Sequence, residues 1–431
     1  MNKKLSLLVG FLFSVTGFAQ EHWTLQDCVK KGEANSLKLK VAALETQVKE
    51  KSKQSIASYY LPEVTLNGTQ SYNFGSAIDP NTNSRVSSNI QSTQASIDAG
   101  MSLFDYTSFI NHKRQSLMID YASLNEKEVL FEYQLSILML FYDILESQSM
   151  LELQNIQLVN SKENLERVQK EVDAGAKSKS DWYDINYIYH NELINIEQTK
   201  NSLYNQKLQL LHLLYVETVE PQDYDVVQLE ESIGQENSYV FNASVEKLRT
   251  NQLILEQDKQ LLYAKNLPRV SLNYQYGSFY SKPFDSDIEM RVNSFAKQIG
   301  DNKSHYASLK VSIPVFQGGN IRREVRVKKE EIRLNTLRIK ESEVKLRNQI
   351  IVISKEIDQL KAIALQLQNS IELSEKTFAT TQAKYENGKV DIFSFNAAKN
   401  QLLNSQFALK KNTHNQAYLT SKIKLYNSNT L

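Results

Sequence analysis

The sequence predicts an α+β protein made of two copies of one unit: a helix, two strands and a long helical hairpin. Three observations predict this fold. Short motifs recur in the same order about 210 residues apart, alternating apolar segments occur in pairs, and two tracts of about 68 residues carry helical periodicity. Glycine and proline are few, 13 and 6 in 431 residues, and this scarcity favours long uninterrupted elements.

The duplication rests on three collinear matches. They pair residues 61–67 with 267–273, 101–105 with 313–317, and 169–175 with 382–388. In the first pair, LPEVTLN and LPRVSLN, five of the seven residues are identical. The offsets of 206, 212 and 213 residues grow slowly along the chain, as a duplicated unit with small insertions requires.

The first 19 residues are predicted to be a signal peptide. Lys3 and Lys4 precede an apolar run over 5–18, and Gly17-Phe18-Ala19 has the small–any–small pattern of a cleavage site. A run of about 14 residues is shorter than the ~20 that a membrane-spanning helix needs. No later stretch is apolar enough for a membrane helix, so the predicted destinations are the periplasm, the medium or a β-barrel in the outer membrane.

After the signal peptide the chain is predicted to divide into repeat 1 (20–216), an acidic linker (217–238) and repeat 2 (239–431). Each repeat begins with an amphipathic helix, the first over 24–57 with Thr24 at its cap. The predicted strands are about 59–75 and 93–104 in repeat 1, and about 268–280 and 306–316 in repeat 2. The polar segments 76–92 and 281–304 are predicted loops, and the hairpin tracts are 105–174 and 320–387, with tips near 175 and 388.

Charge and composition exclude several classes of function. Lys and Arg number 50 against 49 Asp and Glu, so nucleic-acid binding has no electrostatic support. Cys28 is the only cysteine, which excludes an internal disulfide; a buried helix position is a better interpretation than lipidation, because Asp27 occupies the place of a small residue. The six histidines form no i, i+4 pair, and neither a phosphate-binding glycine loop nor a nucleophile elbow occurs. We therefore expect no catalysis, no metal and no cofactor.

The strands point towards a membrane pore. Each has about ten alternating residues with one apolar and one polar face, which suits an outer-membrane barrel. Four strands do not close a barrel, and an open sheet edge in lipid leaves backbone groups unpaired. The chain therefore needs further copies of itself, and symmetry alone allows two or four as well as three. Helical tracts of ~100 Å do not fit in a membrane and are expected to project from it.

At this point the motifs identify a family. The chain resembles the TolC-like outer membrane factors of tripartite efflux pumps and type I secretion systems over nearly its whole mature length. The resemblance is carried by WTLQDC at 23–28, by the repeated Leu-Pro-x-Val-x-Leu, and by PVFQGG at 314–319, where Gly318 and Gly319 form the strand-to-helix turn. The glycine tips with their downstream acids match as well.

The resemblance implies a homotrimer with a twelve-stranded β-barrel in outer-membrane lipid. It also implies that a long α-helical coiled-coil barrel continues the β-barrel into the periplasm. The expected partners are a periplasmic adaptor (membrane fusion) protein and an inner-membrane transporter. The expected function is a passive exit duct for small molecules or polypeptides; the alternative is a periplasmic coiled-coil adaptor or scaffold protein without a pore.

The resemblance also implies a periplasmic gate. In the family, an acid six residues after the first tip glycine bonds to a tyrosine three residues before the second, and Asp181 and Tyr385 match these positions. The arginine expected two residues after the second glycine is replaced by Val390. The acids of the constricting ring are replaced by Ser394 and Ala397.

Two other acids lie near the tips, and they are further candidates for an acidic mouth. These are Asp184 and Asp391. The alternative for all the gate acids, Asp181 included, is that they cap helix starts.

The hairpin tips are expected to dock the adaptor. They comprise Ala174, Gly175, Ala176, Asn387, Gly388 and Lys389. The alternative is that these residues only form the two turns, since a left-handed turn favours glycine in any case.

Overall fold

The structure is a computed structural model that describes residues 21–79, 83–87, 89–228, 242–283 and 293–428. The predicted signal peptide and the part of the predicted linker after Gln228 lie outside these residues. In the part of the chain that the structure describes, no helix combines the length and apolar character needed to cross a membrane.

Repeat 1 contains the elements from β1 to α4. They are β1 (Glu21–Trp23), α1 (Leu25–Asn35), α2 (Leu37–Ser52), β2 (Glu63–Asn73), β3 (Ser76–Asp79), β4 (Ser84–Ser87), β5 (Ile90–Phe104), α3 (Tyr106–Asp173) and α4 (Lys179–Leu214). The hairpin helix α3 begins and ends within a residue of the predicted tract. Its 68 residues agree with the scarcity of helix breakers in this part of the sequence.

Repeat 2 follows a short strand in the predicted linker. The elements are β6 (Tyr224–Val226), α5 (Ala243–Ala264), β7 (Arg269–Pro283), α6 (Phe295–Asp301), β8 (Ser304–Ser312), α7 (Asn320–Glu386) and α8 (Ile392–Ser428). The linker therefore contains a structured segment: β6 pairs in parallel with β1, just over two hundred residues earlier in the chain.

Several predicted boundaries in repeat 1 were wrong. The first helix is two helices, because Ser36 ends α1 with an N–H bond to Gly32 and its hydroxyl accepts the amide of Leu39 at the start of α2. The first strand begins at Glu63 rather than near 59, since a 3₁₀ turn occupies Ala57–Tyr60. The predicted loop 76–92 contains the two-stranded hairpin of β3 and β4.

Repeat 2 also needs corrections. The predicted loop 281–304 contains the end of β7 and the short helix α6. The last strand ends at Ser312 rather than at 316, and Pro314, which has no N–H for a ladder bond, follows two residues later.

The four long strands form one antiparallel sheet in the order β2-β5-β7-β8. Its register places one set of side chains on each face. The apolar set includes Val64, Leu66, Ile97, Ala99, Leu272, Tyr274, Leu309 and Ala307, and the polar set includes Thr65, Asn67, Ser96, Asp98, Asn273, Gln275 and Ser308. The predicted alternation is therefore preserved across every strand pair of the sheet.

The chain divides into two compact units. One unit holds this sheet and the described residues within 44–123 and 247–341, and it has a small apolar cluster of Leu262, Ile321 and Val325. The other, which we call the helical unit, holds the described residues from 21 to 43, within 124–246, and from 342 to 428, together with the largest core. That core packs α1, α3 and α4 around Cys28, Ile137, Phe141, Leu211 and Tyr224.

Candidate functional site

The hairpin tips of the helical unit, which holds the largest core, form the candidate site, and both close with the same backbone motif. Gly175 and Gly388 have φ of +75° and +67°, the left-handed conformation that costs glycine least. After each glycine the next N–H donates to a carbonyl five residues back: Ala176 to Glu171 at 2.7 Å, and Lys389 to Lys384 at 2.8 Å. These are Schellman motifs, and their recurrence in both repeats makes the two tips equivalent.

The return helix of the first tip begins with a capping box. The Ser178 hydroxyl accepts the amide of Asp181, and the carboxylate of Asp181 accepts the Ser178 amide at 3.1 Å and its hydroxyl at 2.9 Å. Asp184, also near the start of α4, is half-buried. The helix-start interpretation of Asp181 therefore accounts for its contacts within the protomer.

Asp391 has the same role at the second tip. Its Oδ1 accepts the amide of Ser394 at 2.8 Å, at the first turn of α8. Hydrogen bonds from the Ser394 side chain and amide hold the pKa of the Asp391 carboxyl below its usual value. Ser394 thus serves the cap at a position where the family pattern has an acid.

Tyr385, the other predicted gate residue, is buried between the two tips. Its hydroxyl accepts a hydrogen bond from Lys177 Nζ at 3.1 Å, and the same ammonium lies 4.1 Å from the centre of the ring. Phe395 of α8 stacks on the ring with centroids 4.9 Å apart. A hydrogen bond and a cation–π contact from one lysine hold the tyrosine against the first tip.

Two ion pairs accompany this contact. Arg167 of α3 lies 3.2 Å from Glu386 of α7, and Lys177 lies 3.2 Å from Glu171. We call Arg167, Lys177, Tyr385 and Glu386 the tip clasp. Because all four belong to one protomer, the clasp joins hairpin 1 to hairpin 2 without a neighbouring copy.

The two predicted gate partners are not brought together within one protomer. Among the residues that the structure describes, no hydrogen bond or ion pair links Asp181 with Tyr385. Lys177 contacts Tyr385 instead. The sequence does not reveal this contact, because a lysine two residues after a tip glycine is ordinary on a solvated turn.

The sequence analysis also missed a buried ion pair in the hairpins, away from the tips. Lys399 of α8 is 2% exposed, and its Nζ lies 2.5 Å from Glu192 Oε1 of α4 and within hydrogen-bonding distance of Ser161 Oγ of α3. Helical spacing was the signal that could have predicted the burial of Lys399. Lys399 lies four residues after Phe395 and three before Leu402, both buried, so it occupies the apolar stripe of α8.

The remaining predicted positions lie at the strand-to-helix turn of the other unit. Gly318 and Gly319 have φ of +60° and +71°, and they lie between the end of β8 and the start of α7. The Arg323 amide donates to the Gly319 carbonyl, which begins the helix. Within the described ranges, no three His, Cys, Asp or Glu side chains group as a metal site would require.

Comparisons with known proteins agree with this geometry. The family model of the outer membrane efflux proteins matches residues 247–428. No curated protein matches the sequence significantly.

Solved structures match over 94% of the chain. The outer membrane protein VceC from Vibrio cholerae has a TM-score of 0.76 at 13% identity, with 96% of its own chain covered. The CmeC outer membrane channel of Campylobacter jejuni has a TM-score of 0.76 at 13% identity, with 85% covered. The open state of the MtrE outer membrane channel of Neisseria gonorrhoeae has a TM-score of 0.69 at 11% identity, with 88% covered. The resemblance found in the sequence motifs is confirmed.

Proposed function

We propose that this chain, a TolC-like outer membrane efflux protein by its second-repeat sequence and its fold, is the outer-membrane exit duct of a tripartite efflux pump. It acts as a passive conduit without chemistry of its own, and its long hairpins lie in the periplasm. An inner-membrane transporter supplies the energy, and a periplasmic adaptor connects the transporter to the duct.

One observation supports this proposal most: the two-faced sheet with open edges. Its apolar side chains are well exposed, for example Leu66 at 79% and Leu309 at 63%, whereas a soluble sheet covers such a face. Lipid would cover this face, and the polar face would line a wet lumen.

The open edges support assembly from several copies. In the four-stranded sheet, β2 and β8 are the outer strands, and each pairs on one side only. An unpaired edge in hydrocarbon leaves each backbone group without a hydrogen bond, at a cost of several kcal/mol per group. Pairing β8 of one copy with β2 of the next removes the edges. We infer a homotrimer with twelve strands, as in the family.

The tips then face the periplasm and the loops face the cell exterior. Ala174, Gly175, Ala176, Asn387, Gly388 and Lys389 form the free turns on which an adaptor hairpin would dock. Asp181, Tyr385, Asp184 and Asp391 lie at the mouth, where Asp181 retains the role of contacting a neighbouring copy in addition to its cap. The tip clasp keeps Tyr385 in place for such a gate.

Assembly and conductance test the proposal together. The protein extracted from outer membranes should be a trimer near three times the 49.5 kDa precursor mass, less the signals, and it should form ion-conducting pores in planar bilayers. Cysteines introduced in the loop at Asn83 should react with an impermeant thiol reagent on intact cells, whereas cysteines at Ala176 or Lys389 should not. A monomer that salt and carbonate extract from membranes, without conductance, would support the pore-free scaffold alternative instead.

A further inference from the structure

The polar face of the sheet carries one acid that the predicted gate does not use. Asp98 lies in the middle of β5, directly opposite Thr65 of β2 and Gln275 of β7. Its Oδ2 accepts Asn67 Nδ2 at 2.6 Å and Ser96 Oγ at 2.8 Å. Neutral donors from two strands therefore orient this carboxylate, and the neutral side chain of Gln275 lies opposite it on the third.

These contacts orient the charge of Asp98 without cancelling it. In the part of the chain that the structure describes, no Lys, Arg or His nitrogen lies within 4.0 Å of the Asp98 carboxylate. An oriented carboxylate with neutral neighbours keeps its full charge, and it makes the electrostatic potential in front of this face of the sheet negative.

The other charges on the polar face lie nearer the end where the helices join the sheet. Glu63 and Arg269 begin β2 and β7, and Arg269 is 3.8 Å from Asp105. Lys310 lies opposite Ser271, two residues from the start of β7. From Asp98 towards the loops, the described strand residues of this face are neutral, and they include Asn67, Thr69, Ser71, Gln94, Ser96, Gly277 and Tyr306. Asp98 thus carries the charge closest to the middle of the sheet.

The helix tips do not supply the acidic ring that the family pattern places there. Ser394 and Ala397 occupy the ring positions, and the Asp391 carboxylate is bonded in a helix cap. Asp98 is therefore a candidate for negative charge within the duct that does not depend on those two positions.

We propose that Asp98 is a selectivity residue of the duct, which favours inorganic and organic cations over anions in the lumen of the sheet region. The inference rests on the proposed function, since the polar face must line the lumen and three copies must repeat the charge as a ring. A ring of carboxylates on a low-dielectric wall attracts cations and repels anions over about one Debye length, which is ~30 Å at 10 mM salt and ~3 Å at 1 M.

Reversal potentials of the intact protein in planar bilayers test this proposal, with KCl gradients as the probe. At concentrations near 10 mM, the wild type should prefer K⁺ over Cl⁻, and Asp98→Asn should lower the permeability ratio at least twofold. Asp98→Glu keeps the charge and should keep the ratio. Gln275→Lys places a cation directly opposite Asp98 and should reduce the ratio as much as Asp98→Asn does.

Two comparisons separate a local from a general effect. Glu50→Gln removes one negative charge from an exposed site of α2 and should leave the ratio unchanged. The wild-type preference should itself decline towards unity at 1 M KCl, a readout that does not depend on how any variant folds. If the wild type conducts but shows no preference for K⁺, the inference is overturned and the proposed function stands. The same holds if Asp98→Asn leaves the preference unchanged. A wild type without conductance overturns the proposed function as well.

Discussion

The Nζ atom of Lys399 lies 2.5 Å from Oε1 of Glu192, and this ion pair joins α8 of repeat 2 to α4 of repeat 1 inside the helical unit. The side chain of Lys399 is 2% exposed and that of Glu192 is 19% exposed, so water screens the pair only weakly. Ser161 of α3 also accepts from the ammonium. One buried cation therefore contacts side chains of two other long helices, α3 and α4, from its place on α8.

Breaking this pair should destabilise the helical unit. Lys399→Ala leaves Glu192 without its cation, and removing one partner of a buried pair costs about 3–5 kcal/mol, less here because Glu192 is partly exposed. Thermal unfolding of the detergent-extracted protein, followed by helical circular dichroism, should show a lowered midpoint.

The double variant Lys399→Met with Glu192→Gln is the control for this prediction. It removes both charges and should recover at least half of the loss, because no uncompensated charge stays buried. If the double variant were as unstable as Lys399→Ala, the cost would come from lost packing and not from charge.

The tip clasp makes a prediction about the gate. Lys177→Met with Arg167→Met removes the hydrogen bond to Tyr385 and the ion pair with Glu386, contacts worth about 1.5–3 kcal/mol each where sheltered and less in water. Without them hairpin 2 should separate more easily from hairpin 1, and mean single-channel conductance should rise. Lys179→Met removes a positive charge from an exposed position at the same tip, and it should have no effect.

Asp181→Ala with Tyr385→Phe tests the contact between neighbouring copies. If Asp181 bonds to Tyr385 of another protomer, as the family pattern implies, this pair of changes should raise conductance above that of the wild type. It should raise it no further than the larger single change, because either change alone breaks the bond. Asp181→Ala also removes the capping box of α4, which costs about 1 kcal/mol of helix stability. Trimer stability in detergent must therefore be compared at the same time. If the double variant and the wild type conducted equally and the trimer stayed intact, the helix cap would be the only role of Asp181.

The tip glycines should resist substitution for a reason of backbone geometry. Gly175→Ala and Gly388→Ala force a side chain into the left-handed region at a cost of about 1–2 kcal/mol each, although nothing lies within 4 Å of the added methyl group. Unfolding midpoints should fall for both variants. Gly300→Ala also has open space and lies within helix α6 without a positive φ, so it should be neutral or stabilising.

Cys28 should report the integrity of the helical core. Its thiol is buried against α3 and α4, and burial, with a smaller contribution from Asp27, raises its pKa to about 12. The thiolate is the reactive form, so a maleimide should label the folded protein slowly at pH 8 and the unfolded protein rapidly. Fast labelling of the folded protein would show that this core is open.

The same pKa shift predicts a loss of stability at alkaline pH. A group whose pKa rises on folding contributes stability that is intact below its unfolded pKa, near 9, and is lost as the pH rises towards 12. The free energy of unfolding should fall over this window, and Cys28→Ala should make the fall smaller. Part of the fall should remain, because burial also raises the pKa of Tyr133 to about 12.

The sequence by itself determined the elements that depend on local rules. Helical spacing and glycine positions located α3 and α7 to within about a residue, and the alternation of the strands assigned residues to the two faces of the sheet. Thr24 and Asp391 were recognisable as helix-start residues because an oxygen-bearing side chain there can accept a free backbone amide. Such features need information from only a few neighbouring residues.

Tertiary structure alone decided which distant residues meet. The parallel pairing of β1 with β6, the placement of Lys177 against Tyr385, and the burial of Lys399 against Glu192 all join segments that are far apart in the chain. Lysine and glutamate are ordinary on the exposed face of a long helix, so their types do not reveal that a neighbouring helix covers them. Only the packing of α8 against α3 and α4 removes water from Lys399, and the loss of water is what turns a surface charge into a specific contact.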